Sequence, residues 1–200
     1  MKYVLLKFIA SLILLAITLQ GHASTLESAT YMAQVQVHMD KSAVAACGVV
    51  LNGFENKTTG SVYVFNGSVM VSVQGAGIVK GRISQIDTAT LFSKNFRLSD
   101  LKPLAASDIW LKAKNSKATS PIQRVQKSED TGYVLYISDS TANILTAILT
   151  EEEFQIGFQV TGKNYGNVMY GKAHIRDDEK AQLQQCLVEL LSQMDTPKGK

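Results

Sequence analysis

Few residues in this chain are of types that could do chemistry. Of three histidines, His22 lies in an apolar leader described below, which leaves His38 and His174. Each falls in a strand-like segment, and a catalytic base needs a nucleophile and an orienting acid beside it in space. Ser68 follows Asn66-Gly67, but the strand–turn–helix context of a G-x-S-x-G elbow is absent. His174 with Asp177 or Asp178 offers a His-x-x-Asp spacing for a metal. A strand end running into a helix start does not hold those side chains in one orientation. The acids read better as the first helical turn, where carboxylates complement exposed amides. Glu151-Glu152-Glu153 would make a paired-carboxylate site only with a second acid across a groove. The glycines of 75–81 and Lys80 lack the GK[ST] ending and following helix of a phosphate cradle. We assign no catalytic residue, no metal set and no cofactor site, and read the chain as not an enzyme. Trp110, next to Lys112, is the pair singled out as a surface contact.

The remaining chemistry is that of Cys47 and Cys186, and it depends on compartment. Lys2 and Lys7 precede a twelve-residue run, Phe8 to Leu19, in which only Ser11 and Thr18 are polar. Gln20-Gly21-His22-Ala23 then places small residues at −3 and −1 of a cut after Ala23, the pattern of a cleavable signal peptide. The run is short for a membrane anchor, since a hydrocarbon core of about 30 Å takes roughly 20 helical residues. After Leu19 no comparable apolar stretch occurs. The chain therefore divides into a signal peptide, 1–23, and a single β-rich domain, 24–200, that works in the periplasm or outside the cell. An even cysteine count in an exported chain favours a disulfide, here with one possible connectivity. It would join the front of the domain to its last helix, constraining the unfolded chain by about 4–5 kcal/mol.

The elements that hold these residues are mainly strands. Tyr31, Ala33, Val35, Val37 and Met39 alternate with polar neighbours, the period of a half-buried strand. Cys47 to Leu51 is a second strand. Ser61 to Phe65 and Ser68 to Val73 flank Asn66-Gly67, which predicts a two-residue hairpin turn. With Ile78 to Ile86 the front half becomes a meander of about five strands. Residues 108–113 form a strand with Ile109 and Leu111 inward and Trp110 opposite, and 114–120 form a polar loop. Tyr133 to Ile137 is a strand, and Asp139 or Ser140 caps a short helix through Leu149 with a stripe of Ile144, Leu145, Ile148 and Leu149. Strands 154–160 and 168–175 follow. A terminal helix then buries Leu183, Leu187, Leu190, Leu191 and Met194, with Cys186 bordering the stripe. The aromatics Tyr63, Phe65, Tyr133, Tyr136, Phe154 and Phe158 fall at strand spacing and are read as mostly core. The fold class is mainly β (α+β): an antiparallel β-sandwich or small β-barrel with one short helix and a C-terminal helix tethered by the disulfide. The layout of 133–175 alone is similar to that of small secreted β-barrels of the oligomer-binding kind.

Charge narrows the partners. Without Lys2 and Lys7, 18 of the 20 basic residues remain against 17 acidic ones. Near-neutrality argues against nucleic acid, which needs concentrated positive charge. The expected function is that of a non-enzymatic exported binding protein contacting another protein, as inhibitors, immunity proteins and accessory factors do. The alternative is a secreted subunit that binds a glycan or host surface through Tyr- and Trp-bearing segments such as 107–120. A hydrolase built from scattered acids ranks third. Asn56-Lys57-Thr58 and Asn66-Gly67-Ser68 also fit glycosylation acceptors.

Overall fold

The computed structural model describes residues 29–55, 60–124, 132–162 and 166–194. The leader with its cut after Ala23, the acceptor Asn56-Lys57-Thr58 and the tail beyond Met194 lie outside them. Ten strands form one sheet: β1 (Ala29–Asp40), β2 (Ala43–Glu55), β3 (Ser61–Ser72), β4 (Gly77–Asp87), β5 (Lys102–Pro103), β6 (Ala106–Ala113), β7 (Gln123–Arg124), β8 (Val134–Ser138), β9 (Glu153–Val160) and β10 (Gly166–His174). Three helices join them: α1 (Thr88–Leu91), α2 (Thr141–Leu149) and α3 (Asp177–Met194). The main order is β6-β9-β10-β1-β2-β3-β4-β8-β7, with β5 beside β4. Every pairing is antiparallel except that of β1 with β10, Ala29 opposite Gly171.

The eight longer strands curl into a half-barrel. Segment 119–124 bridges its two ends. Thr119 N–H donates to the Leu111 carbonyl of β6 at 2.7 Å, and Ile122 N–H donates to the Ile137 carbonyl of β8 at 2.8 Å. Thr119 Oγ1 also accepts from Leu111 N–H at 2.9 Å and shares a 2.7 Å hydrogen bond with the Tyr136 hydroxyl. Edge strands left open invite pairing with other chains, and this polar clasp occupies the outer edge of β6.

Period two decides which side chains face in. Cross-strand rows such as Ala33–Leu51–Gly67–Gly81–Val134 and Val37–Cys47–Val71–Gly77–Ser138 share the inner face. Tyr31, Phe65, Phe154, Phe158, Leu51 and Ile83 fill that face with at most 1% exposure. The Tyr31 ring stacks on Phe154 at 4.8 Å, and Tyr63 meets Phe158 edge-on at 5.1 Å. Helix α2 buries Ile144, Leu145, Ala147 and Ile148 on this face, packing against β3, β4, β6, β9 and β10. Ser140 takes its N-cap position without capping it, because its hydroxyl donates to Asp139 Oδ1 instead. Helix α3 covers β1 and β2, and the expected Cys47–Cys186 disulfide joins it to β2 across 139 residues of sequence.

Three expectations need correction. The predicted turn at Asn66-Gly67 does not form. Both residues lie mid-strand in β3, paired with Asn52 and Leu51 on one side and Arg82 and Gly81 on the other, so the front half has four strands. Gly67 serves close approach and not positive φ, for a Cβ there would collide with the Phe65 ring and the Lys80 carbonyl. The chain instead reverses at 73–76, around Gly75 with φ +76°. The buried stripe of α3 is Leu183, Cys186 and Leu190, whereas Leu191 and Met194 are exposed and Leu187 is half-buried. Cys186 lies at the centre of this buried stripe, and at helical spacing the later leucine and methionine then face outward. Tyr133 leaves the expected core, lying just ahead of β8 on the outer side.

Candidate functional site

With the inner face packed, chemistry-bearing side chains gather on the outer face of β2, β3 and β4. Asn52, Asn66 and Arg82 are direct cross-strand neighbours, and Met32 and His174 continue the row over β1 and β10. The adjacent row is Gln34, Val50, Ser68, Lys80 and Leu135. Direct neighbours stand about 4.5–5.5 Å apart, close enough for short polar side chains to bond. Asn66 Nδ2 donates to Asn52 Oδ1, and Asn66 Oδ1 accepts from the Tyr133 hydroxyl. Gln36, Val50, Asn66, Gly67, Ser68, Lys80 and Tyr133 border a shallow depression of about 240 Å³.

Tyr133 organises the cations. Lys80 Nζ lies 4.4 Å and Arg82 Cζ 4.7 Å from its ring centroid, both within cation–π range. Gly132, with φ +84°, sets Tyr133 there, and a Cβ on it would come 3.6 Å from Arg82 Cδ and 3.1 Å from Pro103 Cβ. The stem of Arg82 thus passes beside a bare backbone. Arg82 Nε is buried without an acceptor. Leaving such a donor unpaired costs about 1–3 kcal/mol, so the site holds its guanidinium through stacking.

The singled-out pair lies elsewhere. Trp110 and Lys112 are half-buried on the outer face of β6, opposite Gly157 and Gln155 of β9. The indole lies flat on Gly157, where any Cβ would collide with it. Its open side borders a depression of about 330 Å³ with Asp108, Gln159, Asn167 and Val168.

The other candidates are dispersed. His38 is exposed and bonded to Gln36 at 3.2 Å. His174 sits opposite Met32, six residues away along β1, or about 20 Å at the usual rise. Arg176 Nη2 contacts Glu179 Oε1 at 2.8 Å and Asp178 Oδ2 at 3.4 Å, tying those acids to the start of α3. Among the described residues no group of three potential ligands could hold a metal. Glu151 pairs with Lys180 at 3.2 Å, and Glu153 accepts from the Tyr170 hydroxyl. The depression beside Glu151–Glu153 is shared with Lys114, Asn115 and Lys172. Asn66, read as a glycosylation acceptor, has its amide tied into the ladder.

Sequence reasoning missed the Asn52–Asn66–Arg82 row because the Asn-Gly signal placed Asn66 at a hairpin tip. The available clue was Lys80 and Arg82 at strand spacing, two cations on one face. No family model matches the chain, and no curated protein or solved structure is significantly similar to it.

Proposed function

We propose that this chain is an exported, non-enzymatic binding protein that acts in the periplasm or outside the cell by contact with another protein. The observation that carries the reading is the contrast between its faces. Two helices seal the inner face, while the outer face of β1–β4 presents a bonded amide ladder with exposed Met32 and Phe54, 52% and 48% accessible, at its Asn52 end. Apolar anchors rimmed by ordered polar groups are the composition of a recognition surface. Export is supported by the leader and by the Cys47–Cys186 bond. No helix of the described residues is long and apolar enough to cross a membrane. The disulfide-bonded protein, immobilised, is expected to retain one discrete protein from extracytoplasmic extract, and M32E with N52E to release it. Retention of nothing, or retention unchanged by both substitutions, refutes the reading.

The Trp110 depression favours a second reading, binding of a glycan or host surface, because an indole beside amides and a carboxylate suits a sugar face. Saturable quenching of Trp110 fluorescence by an oligosaccharide, absent for monomeric sugars, would support it.

A further inference from the structure

We propose that Arg82, stacked on Tyr133 and flanked by Lys80 and Asn66, is a receptor for a carboxylate, supplied by an acidic side chain of the protein partner. The inference rests on the binding-protein reading and names the chemistry that its surface selects.

Four observations carry it. First, the outward-facing side chains of 30–38, 46–54, 62–72 and 78–86 include two cations, Lys80 and Arg82, and no carboxylate. Only this central stretch, short of exposed Asp40 at the end of β1 and Asp87 at the end of β4, therefore carries cations alone, a device that selects acidic partners and repels basic ones. Second, among the described residues nothing accepts a hydrogen bond from Arg82 Nε, and the guanidinium is stacked on the Tyr133 ring. A guanidinium fixed by stacking keeps its planar fork, which matches the two oxygens of a carboxylate. Third, the fork stands on a central stretch of sheet, its stem beside Gly132 and Pro103, so it loses little freedom when bound. Fourth, the ladder is polarised: Tyr133 donates to Asn66 and Asn66 to Asn52, which leaves the Asn52 amide group as a donor at the far end. The row offers donors, and an acceptor-rich anion completes it.

The test titrates the isotope-labelled, disulfide-bonded protein with hexaglutamate, hexalysine and trigalacturonate at low salt, following the Arg82 Nε–Hε resonance in the parent and the backbone amides of β3 and β4 in the parent and every variant. Hexaglutamate is expected to shift it saturably, hexalysine not at all, and added salt to weaken the effect. R82Q and R82K are both expected to weaken binding about tenfold, the lysine because it keeps charge but loses the fork. Unchanged Trp110 fluorescence checks that each variant is folded, and Y133F tests the ladder by an independent route. No saturable shift, or equal binding by R82Q, overturns the proposal. Response to trigalacturonate alone overturns the protein source and moves the site to the glycan reading. Because these probes stand in for the partner, failure to retain any protein from extract leaves the titration unaffected.

Discussion

The two faces of one curled sheet are made from the same strands and behave differently. On the inner face, successive positions of β3 are Tyr63, Phe65, Gly67, Val69 and Val71, a surface cut to the shape of α2 and of aromatic rings from β1 and β9. On the outer face the same strand carries Val64, Asn66 and Ser68, of which Asn66 is held by the Asn52 amide and the Tyr133 hydroxyl. One-residue alternation thus separates a packed region that sets stability from positions 64, 66 and 68, which are only half-buried. A change inside should cost folding energy, and a change outside should leave stability intact while altering what the protein contacts.

The largest expected effect probes the helix that closes the inner face. Removing the disulfide with paired C47A and C186A is expected to lower unfolding free energy by about 4–5 kcal/mol, read from the denaturant midpoint. A loss below about 1 kcal/mol would mean that α3 holds its place without the bond. Next, F154A removes the ring stacked on Tyr31 and is expected to cost about 3–5 kcal/mol. Third, G67A asks whether the mid-strand glycine is required by packing. Its Cβ meets Phe65 and the Lys80 carbonyl, so a loss of about 1–3 kcal/mol is expected. A neutral result would mean that β3 tolerates the displacement.

The fourth prediction concerns a polar group placed inside. Tyr31 donates to the Met169 carbonyl at 2.9 Å, and burial, reinforced by the negative charge of Glu55, pushes its ionisation well above the ordinary tyrosine range. The fold therefore favours the neutral phenol. Its contribution is complete below about pH 10 and is lost as pH rises beyond that value. Y31F should cost about 1 kcal/mol at neutral pH yet flatten the alkaline decline in stability. The smallest effect belongs outside: Q34A, on exposed sheet surface, is expected to shift stability by no more than about 0.5 kcal/mol. A large loss there would erase the contrast between the faces.

Where local pattern sufficed, the sequence was legible. Alternation in 31–37, the inward Ile109 and Leu111 of β6, the apolar stripe of α2 and the pairing of Cys47 with Cys186 all follow from spacing or count, whereas Met39, expected on the same face as Tyr31, lies past a bulge at His38 and is exposed. Asn66-Gly67 misled because the same dipeptide that favours a tight turn also suits a strand in which one residue bonds outward and the next makes room inward. The outer-face site was hidden for a related reason. Asn52, Asn66, Arg82 and Tyr133 are distant in sequence, and only the register of β2, β3 and β4 aligns them. Likewise, counting Leu191 and Met194 as buried ignored that Cys186 lies at the centre of the α3 stripe.

The parallel pairing of β1 with β10 has a temporal side. Residues 29–32 at the front of the molecule find their second neighbour in residues 171–174 near its end. A chain made N-terminus first can zip β1 through β4 early, but one flank of β1 must wait, open to strangers, until β10 has been made. The interval before β10 appears is therefore the vulnerable one. A chain cut short before β10 would be expected to aggregate through that waiting edge, whatever the quality of its early hairpins.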